Sequence, residues 1–169
     1  MTRFDAVDLK RAIRHRHSGR GAVLIEELRT ACGFVGGAER YMDVWAIEAN
    51  ASKGCTAQAY EIKASRADFL RDVKQPLKQR GARLFSDQFW FVTPPDLLKA
   101  EEIPDWAGLL EPYPQSNGLF ESWEQWPILR QVVPAPFRSK DAPSWPLVVS
   151  MLRRTPIILP EEPAALAAE

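Results

Sequence analysis

The stretch that decides the fold is residues 57–69, which read AQAYEIKASRADF. The first seven residues alternate in character with a period of two, which predicts a β-strand over 57–63. Glu61 and Lys63 are two residues apart and therefore leave this strand on the same face. A carboxylate beside an ammonium group is typical of either a salt bridge or a metal site. Ser65 then predicts the N-cap of a helix that begins directly after the strand.

A second predicted strand, over residues 40–47, carries an acidic residue. Both faces of this strand are largely apolar, which is typical of a central strand covered on both sides. Asp43 is costly to bury there unless it has a hydrogen-bond partner or a metal. A short turn over residues 50–54 joins the two strands and predicts an antiparallel hairpin. The hairpin would bring Asp43 close to Glu61.

The remaining pattern predicts an α/β fold. Strand 57–63, a helix from Ser65, a helix over 77–85 and strand 88–93 form a βαβ crossover with parallel strands. Short strands over 108–111 and 129–133 and a helix over 143–154 extend the domain. Upstream, we expect helices over 4–15 and 22–31. The second of these carries Glu27 near its apolar stripe, whereas Glu26 points further away. The prediction is a central mixed β-sheet flanked by α-helices.

Length and composition limit the number of domains and the kinds of protein that the sequence can encode. The 169 residues, 46% of them hydrophobic, predict one domain over 1–155 and a disordered Pro/Ala/Glu-rich tail over 156–169. The 22 basic and 22 acidic residues balance, so net charge neither suggests nor excludes a polyanionic partner. Cys32 and Cys55 are too few for a disulfide framework, which favours a reducing compartment. Without an apolar run of membrane length or a signal-peptide pattern, we expect a cytoplasmic protein with no membrane partner.

Two motifs carry a family resemblance. The spacing Asp43-x17-Glu61-Ile62-Lys63, in a hairpin followed by a helix and a strand, resembles the core of the PD-(D/E)XK nuclease superfamily. The longer string EIKASRADF at 61–69, with FWFVTP at 89–94 and AGLLE at 107–111, is similar to the MmcB-like group of bacterial DNA-repair nucleases and related phage proteins. The resemblance covers roughly residues 15–155. One departure is Met42, which stands where the superfamily's name expects Pro.

The resemblance implies a restriction-endonuclease-like core and metal-dependent hydrolysis of DNA, by an endonuclease or a repair nuclease. Asp43, Glu61 and the backbone carbonyl of Ile62 would hold Mg²⁺ or Mn²⁺, which prefer oxygen ligands. Lys63 would orient or help deprotonate the attacking water and stabilise negative charge on the phosphoryl group. Glu27, or Glu26 in its place, would complete the site directly or through a water.

Nucleic-acid contacts and partners follow from the same resemblance. Basic residues around the site are candidates for phosphate contacts: Arg16, Arg66, Lys74, Lys78 and Arg80. DNA is the expected partner, with other repair or replication proteins beside it. A homodimer is the arrangement expected of a small nuclease that cuts both strands.

Three alternatives stay open at the level of sequence. Glu61 and Lys63 could form a surface salt bridge on an exposed strand. The fold could serve as a non-catalytic DNA-binding module, although an intact set of Asp43, Glu61 and Lys63 argues against this. The same site could also serve an RNA-processing nuclease.

Overall fold

The structure is a computed structural model that describes residues 4–30, 41–75, 77–113 and 128–159. In these ranges the chain forms four α-helices and seven β-strands. The helices are α1 (Ala6–Arg16), α2 (Arg66–Val73), α3 (Arg80–Leu84) and α4 (Trp145–Leu152). The strands are β1 (Ala22–Arg29), β2 (Tyr41–Glu48), β3 (Ala57–Ile62), β4 (Gln88–Val92), β5 (Gly108–Tyr113), β6 (Ile128–Val133) and β7 (Ile157–Ile158).

All seven strands form one mixed sheet in the order β6-β5-β4-β3-β2-β1-β7. The pairs β3–β4 and β4–β5 are parallel, and the remaining pairs are antiparallel. The predicted hairpin of β2 and β3 and the predicted βαβ crossover from β3 to β4 are both present. The protein is therefore an α/β protein with a central mixed sheet flanked by helices, as predicted.

The sheet buries a hydrophobic cluster on each face. On one face, α1 packs Leu9 and Ile13 with Tyr60 and Trp90 of the central strands. On the other, Phe69 of α2, Ala82 of α3 and Leu147 of α4 join one cluster with Phe89 and Phe91 of β4. We call these the α1 face and the α2 face. Glu61 and Lys63 belong to the α2 face, because they alternate in phase with Ala57 and Ala59, which lie in that cluster.

The predicted helix over 22–31 is wrong, because residues 22–29 form strand β1. Leu24 packs into the cluster on the α1 face, whereas Ile25 and Leu28 both pack into the cluster on the α2 face. This change of phase coincides with a φ of 50° at Glu27, a left-handed conformation that interrupts the regular alternation of a strand. In the sequence, Leu24 and Leu28 are four residues apart, which matches the spacing of apolar residues along one face of a helix and led to the wrong prediction.

Two predicted boundaries also differ from the structure. Ile157–Ile158, expected in a disordered tail, pairs with Val23 and Leu24 as the edge strand β7, so the domain extends beyond residue 155. Residues 160–169 of that tail lie outside the described residues. The helix predicted over 77–85 is reduced to Arg80–Leu84, preceded by turns from residue 77.

Candidate active site

The β2–β3 hairpin places Asp43 beside the end of β3. Val44 pairs with Tyr60, so the antiparallel register sets Asp43 opposite Glu61, as predicted. The backbone N–H of Ile62 donates to Asp43 Oδ2 at 2.7 Å. This bond fixes the half-buried carboxylate of Asp43 against the residue that separates Glu61 from Lys63.

Asp43 and Glu61 share a site in which both are hard to ionise. Glu61 is only 8% exposed. Burial, followed by the negative charge of Asp43, raises the pKa of Glu61 to about 7, although Lys63 acts in the opposite direction. Burial also raises the pKa of Asp43, with a further contribution from the charge of Glu27. The two carboxylates therefore form a buried acidic pair whose charge the neighbouring lysine compensates incompletely.

Lys63 is buried between carboxylates. Its Nζ donates to Glu61 Oε1 at 2.8 Å and to Asp72 Oδ2, and it lies 3.6 Å from Asp68 Oδ2. Burial alone lowers the pKa of Lys63, but Glu61 and Asp72 outweigh burial and raise it above its ordinary value. Lys63 is thus a fixed ammonium at neutral pH, and the alternative of an exposed surface salt bridge is wrong because both partners are buried.

Asp72 is the member of this cluster that sequence reasoning missed. It is 3% exposed and also accepts a hydrogen bond from Lys78 Nζ at 2.6 Å. Ser65 caps α2 as predicted, accepting from the backbone N–H of Asp68 at 3.3 Å, so the helix starts directly behind Lys63. The signal was present in the sequence, because Asp68 and Asp72 are four apart and lie on one side of such a helix.

Glu27 and Glu26 occupy different positions on β1. Glu27 lies between the pairs Glu26–Val44 and Leu28–Met42, which sets it opposite Asp43. Its carboxylate accepts from Lys10 Nζ at 2.6 Å, and its side chain remains 47% exposed. Glu26 instead accepts from Arg14 Nη2 at 2.6 Å. Of the two alternatives, Glu27 is therefore the one beside Asp43, although it stands on a strand rather than on the predicted helix.

The predicted phosphate contacts divide between the two faces. Four of them lie on α2, on α3 or between these helices: Arg66, Lys74, Lys78 and Arg80. Arg66 is exposed and pairs with Glu102, and Lys78 pairs with Asp72. Arg16 lies on the α1 face, with its guanidinium 5.3 Å from the ring centroid of Trp90. The structure therefore separates Arg16 from the other four.

The acidic pair can be tested for its fit to a divalent cation. In the described ranges, no group of three or more His, Cys, Asp or Glu side chains is arranged to hold a metal. Mg²⁺ does not require such a group, since it is usually bound through one or two carboxylates and retains several waters. Asp43 and Glu61 offer only oxygen donors. Burial raises the pKa of both, and the negative charge of Asp43 on Glu61 and that of Glu27 on Asp43 act in the same direction. A divalent cation would offset this charge, so the pair fits Mg²⁺ or Mn²⁺.

Comparisons with known proteins give the fold alone. No family model and no curated protein matches the chain. The chain is similar to a solved structure, SPO1766, a protein of unknown function from Silicibacter pomeroyi, with 24% sequence identity and a TM-score of 0.56. The match covers 86% of this chain and 80% of that one. No helix in the described ranges is long and apolar enough to cross a membrane.

Proposed function

We propose that the protein is a metal-dependent nuclease of the PD-(D/E)XK type that hydrolyses phosphodiester bonds in DNA. The observation that carries this proposal is the position of the Lys63 ammonium. It lies buried beside the carboxylate of Glu61, at the point where Asp43 meets the same strand. Two carboxylates and one ammonium group converging at the ends of neighbouring strands supply the charges that phosphodiester hydrolysis requires.

Asp43 and Glu61 would hold the metal, and the Ile62 backbone carbonyl would be the third ligand of the set. A bound Mg²⁺ would act as a Lewis acid on the phosphoryl oxygens and lower the pKa of a bound water. Asp43 is fixed for this task by the N–H of Ile62, and Glu61 is fixed by Lys63. Glu27 stands beside Asp43, where it would accept a hydrogen bond from a water at the metal.

Lys63 would act through its positive charge. Because Glu61 and Asp72 raise its pKa, Lys63 keeps its proton at neutral pH and does not accept one from water. Its ammonium would instead orient the attacking water and stabilise the negative charge that develops on the phosphoryl group. Asp72, which touches no substrate in this scheme, holds the ammonium in place from the side of α2.

A non-catalytic DNA-binding module is the second candidate, and one observation favours it. Glu61, Lys63, Asp72 and Lys78 form a continuous chain of ion pairs. Such a chain could hold α2 against the sheet without any catalytic role. The two candidates differ in their response to metal, which makes them separable by experiment.

The test is a cleavage assay on labelled single-stranded, duplex and branched DNA and on RNA, each with Mg²⁺, Mn²⁺ or EDTA. We expect cleavage of DNA that requires the metal and is lost in Asp43→Asn and Lys63→Gln. Glu26→Gln is the matched control, because this neighbouring carboxylate pairs with Arg14 on α1. Retention of DNA binding without cleavage under any metal would support the binding module instead, and preferential cleavage of RNA would reassign the substrate.

A further inference from the structure

A cavity of about 130 Å³ lies away from the candidate active site, at the start of β4. Phe89, Trp106 and Pro136 line it, and its walls are almost entirely apolar. An engineered cavity of roughly 150 Å³ with apolar walls binds one benzene molecule. The cavity at β4 therefore has the size and the surface for a single phenyl ring.

The charged groups at the cavity are balanced and do not select an ionic ligand. Arg138 donates to the carboxylate of Asp141 at 3.1 Å. Burial, followed by the charge of Arg138, lowers the pKa of Arg83, and the negative charge of Asp105 opposes this shift. Because each guanidinium group already interacts with a carboxylate, the occupant that fits the cavity is neutral.

The two arginines favour an aromatic occupant over an aliphatic one. Both line the cavity, and the guanidinium of Arg83 already lies 4.3 Å from the ring centroid of Trp106. Guanidinium groups stack on aromatic rings and are attracted by the negative face of the ring. A phenyl ring in the cavity would therefore contact apolar walls and positive groups together.

The chain presents such a ring beside the cavity. Phe137 lies between Pro136 and Arg138, which both line the cavity, and its own side chain is 66% exposed. The segment is fixed to the start of β4, because the backbone N–H of Arg138 donates to the carbonyl of Asp87 at 2.8 Å. An exposed ring and an empty cavity that fits it are thus neighbours on one rigid surface.

We infer that Phe137 of one copy of the chain occupies this cavity in a second copy, and that the protein forms a symmetric homodimer through this surface. In a two-fold dimer the same surface contacts itself, so a ring and a cavity side by side can complete both halves of the contact. The interface then contains two identical Phe137 contacts. The inference does not depend on the proposed function.

The exposed aromatic area indicates how strong the dimer is. Trp145, eight residues further along the chain at the start of α4, is 81% exposed. An aromatic side chain presents about 150–250 Å², so Phe137 and Trp145 expose roughly 300 Å² between them. Each partner in a standard interface contributes about 800 Å², of which these two rings would supply over a third. Such an interface suits a reversible dimer that depends on protein concentration.

The first experiment measures the oligomeric state by sedimentation velocity over a wide range of protein concentration. The variants are Phe137→Ser and the matched control Val7→Ser, since Val7 is similarly exposed but lies on α1, against the other face of the sheet. We expect a monomer–dimer equilibrium in the wild type and in Val7→Ser. Loss of one anchor residue weakens an interface roughly 30-fold, so loss of both in Phe137→Ser should weaken the dimer roughly 10³-fold.

Three results of this experiment would overturn the inference. They are a wild type that stays monomeric at every concentration, an assembly larger than a dimer, and a Phe137→Ser variant that dimerises like the wild type. Circular dichroism first shows that both variants are folded, which is expected because both side chains are exposed.

The second experiment tests the cavity itself. The indole Nε1–H NMR signal of Trp106, which lines the cavity, is followed during titration with benzene. We expect a saturable shift in monomeric Phe137→Ser. In the wild type, benzene binding should weaken as the protein concentration rises, because Phe137 and benzene compete for the same cavity. No saturable shift in Phe137→Ser, or wild-type binding that is independent of protein concentration, would overturn the assignment of Phe137 to the cavity.

Discussion

Replacing Glu61 with Gln should remove a large pH-dependent cost of folding. The pKa of Glu61 is about 7 in the folded protein, against an ordinary value of 4.5. The difference of about 2.5 pH units corresponds to roughly 3 kcal/mol, at about 1.36 kcal/mol per unit. Because the folded state binds this proton more tightly, Glu61 costs no stability below pH 4.5, and the unfolding free energy falls as the pH rises from 4.5 to 7.

The wild-type curve alone does not reveal this effect, because His17 acts with the opposite sign. His17 is 1% exposed, and burial, followed by the charges of Arg16 and Arg20, lowers its pKa from 6.5 to about 3. The unfolded chain binds this proton below pH 6.5, so His17 lowers the unfolding free energy as the pH falls from 6.5 to 3, by up to about 5 kcal/mol. Between pH 4.5 and 6.5 the two slopes nearly cancel.

The assay is therefore a difference measurement. Urea unfolding is followed by circular dichroism between pH 4.5 and 8, with EDTA present, for the wild type and Glu61→Gln. The unfolding free energy of the variant minus that of the wild type should increase by about 3 kcal/mol across this range. Glu101→Gln, at an exposed position, is the control and should give a flat difference. A flat difference for Glu61→Gln would refute the argument that Glu61 is hard to ionise in the folded protein.

Four further outcomes are expected. Lys63→Ala leaves the buried carboxylate of Glu61 without its ammonium partner and leaves Asp72 with Lys78 alone, and should lower the unfolding free energy by about 3–5 kcal/mol in urea at pH 7. His17→Asn should unmask the opposite effect of Glu61, so that the unfolding free energy of the variant falls as the pH rises from 5 to 6.5, where that of the wild type is nearly constant. Gly108→Ala places a Cβ 2.4 Å from the ring of Trp90 and should destabilise by at least about 1–3 kcal/mol in a thermal melt. Calorimetry should show that Mg²⁺ binds about tenfold more tightly per pH unit as Glu61 ionises below pH 7, and a pH-independent affinity would contradict its role as a ligand.

The parts of the fold that the sequence predicted are those set by local pattern. The alternation through Tyr60 and Ile62 defined β3, and the apolar faces around Asp43 defined β2. Their short connection was enough to set Asp43 opposite Glu61. Ser65 marked the start of α2 because a serine hydroxyl at the N-cap accepts a hydrogen bond from a backbone N–H in the first turn of the helix.

The parts that sequence missed depend on contacts between distant residues. Glu27 has a left-handed backbone conformation within β1, which no local rule predicts for a glutamate. The roles of Glu27 and Glu26 were set by Lys10 and Arg14, which reach them from α1 across 17 and 12 residues of sequence. Ile157–Ile158 became a strand only because β1 offered an edge to pair with.

The role of Asp72 in the candidate site also could not be predicted from the sequence alone. Its spacing from Asp68 was visible, but its burial depends on how α2 packs against the sheet and on the approach of Lys78 from the following segment. A charged helix residue is by default assigned to the surface. Only the packed structure shows that Lys63 has a carboxylate on each side.

The measurement that tests the central claim most directly is the single-turnover rate of DNA cleavage with saturating Mg²⁺ for wild type and Glu61→Gln. Both proteins are first shown to be folded by circular dichroism, and Glu26→Gln is measured alongside them. We expect wild type and Glu26→Gln to cleave at similar rates, and Glu61→Gln to be slower by at least about 10²-fold, the usual effect of removing a group that stabilises transition-state charge. A rate that is unchanged in Glu61→Gln, or that persists in EDTA, would contradict a metal-dependent site built on Asp43, Glu61 and Lys63.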